Sequence, residues 1–314
     1  MLKHNLPKVE HDIVVRASAE DVYRLVADVA NWPRIFPPTV HVEHLERGDD
    51  EERIRIWATA NGEAKTWVSR RVLDPDRLRI DFRQEVSSPP VAAMGGSWVV
   101  EPMNDGECRV RLLHDYRAVD DDPQALKWIE RAVDGNSRAE LNALRAGAEL
   151  ADGSADLLMS FQDSLWIDGP AERVYDFIDQ AGLWADRLPH VARVDLTEPA
   201  EGLQVLEMDT KAKDGSTHTT KSVRVCFPKR RIVYKQTTLP ALLSLHTGRW
   251  TFEDSEGGVL ATSQHTVVLR PENIAKVLGE GAGVDRARAY VRDALGTNSK
   301  ATLGHAKQYA ESEG

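Results

Sequence analysis

The 314-residue chain is poor in cysteine, with only Cys108 and Cys226. They fall in different halves at unmatched positions, which excludes a disulfide framework or a cysteine metal site and leaves two structural thiols. A basic excess is also lacking: 40 Lys and Arg stand against 50 Asp and Glu, a formal net charge of −10. Nucleic acid binding needs a cationic footprint, so small molecules or proteins are the expected partners. No apolar run approaches the length needed to span a bilayer, and residues 1–10 have no apolar core of signal-peptide length. A soluble, cytoplasmic protein with no membrane contact is expected.

Cofactor signatures are missing as well. Gly279-Glu-Gly-Ala-Gly283 lacks the preceding strand and the later acid of a dinucleotide site, and no Walker motif or Gly-x-Ser-x-Gly elbow occurs. His41-x-x-His44 on a strand sends its rings to opposite faces, so both are expected at the surface and no metal is expected. No cofactor is expected.

What is present is a duplication. Ala19-Glu-Asp-Val-Tyr23 returns as Ala171-Glu-Arg-Val-Tyr175, Trp32 as Trp184, and Ser69-Arg-Arg71 as Ser222-Val-Arg224. With 41% hydrophobic residues the chain has material for two cores, assigned to residues 1–152 and 153–314, with a break in the pattern near 150–156.

The first half reads as a strand over 11–18, a helix over 19–29 opened by the Ser18-x-x-Asp21 capping spacing, and a short helix after Trp32. Strands follow at 40–46, 53–59, 64–73, 77–86, 97–102 and 109–117, separated by turn signals such as Asn61-Gly62 and Asn104-Asp105-Gly106. Met94 to Trp98 reads as a loop leading into the fifth of these. A long helix over 123–150 closes the half, and its counterpart is expected from about Pro271 to Ala310. Each helix carries a mid-course glycine, Gly135 or Gly296, at a cost of about 1 kcal/mol relative to alanine, which suggests a bend or a close backbone approach. The sum is an α+β fold: two curved antiparallel sheets of about seven strands, each gripping a C-terminal helix around a cavity.

The strand over 64–73 organises the chemistry. Alternation puts Trp67, Ser69 and Arg71 on one face, and either that face lines a cavity or the segment is an edge strand exposing Ser69 and Arg71. Burying an arginine without an acid partner is costly, whereas its five donors suit a ligand rich in carbonyl oxygens. His114 lies inward by alternation and is of a type that titrates near neutrality, although a core histidine fits the pattern equally.

These residues resemble a known family. Asn31-Trp-Pro-x-x-Phe36-Pro-Pro-Thr-Val-His-Val-Glu43, Lys65-Thr-Trp-Val-Ser-Arg-Arg71, Met94-Gly-Gly-Ser-Trp98, His114-Asp-Tyr116 and Asp134-Gly-Asn-Ser-Arg138 look like the didomain aromatase/cyclases of bacterial type II polyketide synthases. The resemblance implies two helix-grip domains of the START and Bet v 1 type. It also implies an activity: cyclisation of a poly-β-ketone between carbons seven and twelve, then dehydration to an aromatic ring. Its implied partners are an acyl carrier protein bearing that chain and other enzymes of the synthase.

On that resemblance the pocket arginine falls on Arg71, the hydroxyl on Ser69, and the aromatic walls on Trp32, Trp67 and Trp98. His114 joins the catalytic set, and Phe36, Trp57, Phe82, Tyr116 and Trp128 complete the expected pocket. A second pocket is expected around Trp184, His190, Ser222, Arg224, Trp250 and His265. Some single-domain relatives use a tyrosine shortly after the first tryptophan, whereas Pro38 and Thr39 stand there in this chain. A non-catalytic carrier of a hydrophobic ligand, or of a polyketide, is the competing reading on the same fold.

Overall fold

The computed structural model describes residues 8–103, 106–149, 155–211, 215 and 217–312. The turn at Asn104-Asp105 and the break at 150–154 therefore lie outside the described residues. The chain divides into two compact units, Met1–Asp152 and Gly153–Gly314.

The first unit runs β1 (Lys8–Val15), α1 (Ala19–Ala27), α2 (Trp32–Ile35), β2 (Thr39–Arg47), β3 (Glu51–Ala60), β4 (Glu63–Asp74), β5 (Arg79–Val86), β6 (Val91–Pro102), β7 (Cys108–Ala118) and α3 (Pro123–Glu149). Its seven strands are ordered β1-β7-β6-β5-β4-β3-β2, all antiparallel. β4 is therefore interior, not an edge. Ser18 caps α1 by accepting from the Asp21 amide at 3.1 Å, while its hydroxyl donates to the Asp21 carboxylate at 2.6 Å. Val22, Val26, Ile54, Ile80, Val110 and Leu144 build the core between sheet and helices.

The second unit repeats the order: β8 (Leu158–Ile167), α4 (Ala171–Asp179), α5 (Trp184–Arg187), β9 (Val191–Ala200), β10 (Leu203–Lys211), β11 (Thr217–Phe227), β12 (Arg231–Thr238), β13 (Leu243–Ser255), β14 (Gly258–Leu269), α6 (Ile274–Leu278) and α7 (Val284–Glu311). Its strand order, β8-β14-β13-β12-β11-β10-β9, is that of the first sheet.

Three expectations are corrected. Met94 to Trp98 is strand, because Gly95 and Gly96 fit a crowded sheet: Arg83 fills the space beside Gly95, and the Leu113 carbonyl and Phe82 ring fill that beside Gly96. The second long helix starts at Val284, not Pro271; a short turn and α6 precede it, and α6 ends at Gly279 with φ +91°. Gly135 faces open space, so no close approach explains it, whereas Gly296 lies against the Arg292–Asp163 ion pair.

Candidate active site

On β4 the expected face turns inward. Ser69 and Arg71 are buried, while Val72 on the other face is exposed. The register sets Glu52 of β3 and Phe82 of β5 on either side of Arg71. Arg71 is not the unpaired cation expected. Its Nη1 donates to Glu52 Oε1 at 2.6 Å and to the Ala27 carbonyl at 3.3 Å, and its Nη2 donates to the Val26 carbonyl at 2.9 Å. Those carbonyls end α1, where a helix leaves acceptors unused. The guanidinium also lies 4.9 Å from the Trp32 ring, whose Nε1 donates to the same Val26 carbonyl at 3.0 Å.

Burial pulls the Arg71 pKa down to about 10 against the opposing pull of Glu52, so the group stays cationic at neutral pH. Glu52 in turn meets His44 Nε2 at 2.8 Å, giving a His44–Glu52–Arg71 chain from an exposed histidine to a fully buried cation. His44 is exposed at the surface, as expected, and is also the outer member of that chain. His41 packs 5.5 Å from Trp57 on the other face.

Above Arg71 the first unit holds two adjoining chambers. One encloses about 100 Å³ and is lined by Trp32, Phe36, Trp67, Ser69, Arg71, Phe82, Trp98 and His114. The other, about 130 Å³, shares Trp32, Trp67 and His114 and extends to Trp128. Phe36 stacks on Trp98 with centroids 5.8 Å apart, which fixes one wall. Two expected members are elsewhere. Trp57 alternates with the inward Ile56 and Ala58 and faces away from the chambers. Tyr116 is buried but lines neither chamber; it packs in a core cluster with Ile129 and Val133, which themselves line the larger chamber.

His114 does not titrate near neutrality. Desolvation, with His11 adding repulsion, pushes its pKa down to about 4, so the ring is neutral and able to accept a proton. A residue not singled out in the sequence shares these chambers with it: Glu140 of α3 lines both, and burial raises its pKa to about 8, leaving a protonated carboxyl at neutral pH. The signal was present in the helix spacing, since Glu140 falls on the stripe of Val133, Ser137 and Leu144. Carboxyl acid and imidazole base thus share one aromatic-walled space.

In the second unit all six expected residues, Trp184, His190, Ser222, Arg224, Trp250 and His265, line a single cavity of about 130 Å³. Arg224 again stacks on a tryptophan, 5.3 Å from Trp184, and donates from Nη2 to the Ile178 carbonyl at 2.6 Å. The acid is missing. The register puts Gln204 where the first unit has Glu52, and Leu196 where it has His44. Tyr234 and His246, also not singled out in the sequence, stand at the places of Phe82 and Met94. Tyr234 Oη meets His265 Nδ1 at 3.0 Å, His265 Nδ1 meets His246 Nε2 at 2.9 Å, and His265 Nε2 meets Ser299 Oγ at 2.7 Å. Burial pushes the His265 pKa down to about 4 and that of His246 well below its ordinary value.

A doubled helix-grip fold with a polar cluster in an aromatic cavity is the architecture of ligand-transforming or ligand-carrying proteins, and the comparisons narrow that class. Residues 7–149 and 167–289 each match a family described as polyketide cyclase/dehydrase and lipid transport. The chain belongs to the polyketide cyclase/dehydrase family, in its two-domain form. It is 53% identical over 298 residues to the granaticin polyketide synthase bifunctional cyclase/dehydratase of Streptomyces virginiae, covering 94% of this chain and 97% of that one. It is 48% identical to the actinorhodin polyketide synthase bifunctional cyclase/dehydratase of Streptomyces coelicolor, covering 95% of each. The crystal structure of the di-domain ARO/CYC BexL superposes with a TM-score of 0.86 at 66% identity, covering 98% of this chain and 99% of that one.

Proposed function

We propose that the first cavity closes the first ring of a carrier-tethered poly-β-ketone, between carbons seven and twelve, and removes water from the product. The observation that carries this reading is the placement of Glu140, His114, Ser69 and Arg71 around one space walled by tryptophans. Neutral His114 takes a proton from the carbon-twelve methylene, and the resulting carbanion bonds to the carbon-seven ketone. The carbonyl electron pair moves to its oxygen, which receives the proton of Glu140. Arg71 and Ser69 supply hydrogen-bond donors where that oxyanion forms.

The second step runs the pair in reverse. Glu140, now a carboxylate, takes a proton from carbon eight, and protonated His114 gives its proton to the carbon-seven hydroxyl, which leaves as water. Both residues return to their starting state. No redox equivalent is consumed, and enolisation then completes the aromatic ring. The aromatic walls suit a planar product. A non-catalytic carrier has no need of a raised carboxyl beside a neutral imidazole, which favours the enzyme.

The implied partners are an acyl carrier protein and the other enzymes of a type II synthase. Incubation with a minimal ketosynthase set and its carrier, with products identified by mass spectrometry, tests the reading. Products cyclised between carbons seven and twelve support it. A product profile identical with and without the protein overturns it.

A further inference from the structure

The two cavities differ in charge, and the difference lies in one pair of matched residues. In the first unit the buried guanidinium is neutralised by Glu52 at 2.6 Å. In the second, Gln204 takes that position on the neighbouring strand and turns its amide away, donating to the Asp179 carbonyl at 3.3 Å and carboxylate at 3.4 Å. Asp179 supports the Arg224 cation through its field but makes no ion pair with it, and its carboxylate accepts instead from the Tyr175 hydroxyl at 3.3 Å. Arg224 is 2% exposed, and its Nη1 has no hydrogen-bond acceptor among the described residues. A buried cation left in this state is costly unless something else supplies the negative charge.

The cavity wall points the same way. Among the described residues lining it there is no aspartate or glutamate. Several polar groups that accompany Arg224 are neutral: Ser222, Ser299, the Tyr234 phenol, whose pKa burial raises, and the His246–His265 pair, which burial holds unprotonated. Trp184 and Trp250 add flat apolar surface. Such a wall discriminates by charge, since it offers donors and one cation to an anion and nothing to neutralise a second cation.

We propose that the second cavity is a binding site for a planar aryl oxyanion, a phenolate or ring enolate, held by Arg224 because Gln204 has replaced its counter-ion. The inference rests on the proposed function only for its natural ligand, a ring-closed polyketide intermediate. Its binding chemistry stands apart from turnover. Ring closure is tested with Arg71 and Glu140 variants, and oxyanion binding with residues of the other unit, so each can fail alone.

The test is a titration of the full chain with 4-nitrophenol, whose phenolate absorbs differently from the phenol, beside 4-nitroanisole, which cannot ionise. Wild type is expected to bind the phenolate form and to shift its ionisation to lower pH. Gln204→Glu recreates in the second unit the pair that folds in the first, and is expected to weaken phenolate binding about ten- to a hundredfold, the worth of one charge-assisted contact. Arg224→Gln is expected to do the same, with neither change moving the anisole by more than a small factor. Circular dichroism checks that each variant folds, and if one does not, the other carries the test. Unchanged phenolate affinity in a folded variant overturns the proposal. An equal loss of phenolate and anisole overturns it too, because it marks an apolar pocket with no preference for charge.

Discussion

Glu52 Oε1 lies 2.6 Å from Arg71 Nη1, and both side chains are almost wholly buried. Removing one partner of such a pair leaves an uncompensated charge, at about 3–5 kcal/mol. Glu52→Ala is therefore expected to lower stability by that amount in urea unfolding. Glu52→Gln is expected to cost less, since glutamine fills the same volume and the second unit carries that residue natively at Gln204. Equal losses for the two variants would show that the charge is not the reason for the cost.

Glu140 gives a pH dependence with a definite sign. Its folded pKa, about 8, stands above the ordinary 4.5, so between those values the folded protein holds a proton that the unfolded chain has lost. Stability is then fully present below about pH 4.5, falls as pH rises, and levels off above about pH 8. Glu140→Gln is expected to flatten that slope in denaturation curves taken across the range. In turnover, the same variant is expected to lose about 10²–10⁴-fold in ring closure, and the wild-type fall in rate above pH 8 should vanish with it.

Parallel truncation separates the two arginines. Arg71→Ala is expected to reduce ring closure by two to three orders of magnitude, the loss typical of one oxyanion donor, and Arg224→Ala to affect a later step. Product profiles in the reconstituted synthase decide this. Abolished ring closure in Arg224→Ala, with only slowing in Arg71→Ala, would move the principal site to the second unit.

Three glycines are expected to respond differently to alanine. At Gly96 the new Cβ meets the Leu113 backbone carbonyl, which cannot step aside, so a large drop in melting temperature follows. At Gly248 it meets the Tyr234 ring and the Gln264 carbonyl, so the Tyr234–His265 contact should be lost as well. At Gly135, mid-helix and facing open space, alanine should stabilise by about 1 kcal/mol. Thermal denaturation of the three variants checks the order.

Much of this was legible in the chain. The repeated Ser-x-Arg step located both buried arginines, because strand alternation and a fixed spacing survive any detail of packing. Partners were harder to see. Glu52 alternates with Ile54 and Ile56, so its inward direction was readable, but its meeting with Arg71 depends on the register of two strands. Gly95 and Gly96 read as part of a loop since the atoms that fill their vacant space belong to other strands. Tyr116 shows the limit of alternation: it is buried as expected, yet it packs into a core cluster with residues of the cavity wall and does not line the cavity. The depressed His114 follows mainly from desolvation, with repulsion from His11, and no spacing reports either.

The Glu52 and Gln204 positions also bear on how such a protein changes. Glutamate and glutamine codons differ at a single base, and the two side chains have nearly the same shape. A single-base difference between the two repeats thus separates a guanidinium with an acid partner on the neighbouring strand from one that has glutamine there. A tandem repeat makes such a step tolerable, because an unaltered domain can continue to serve while its altered copy is free to take a different ligand.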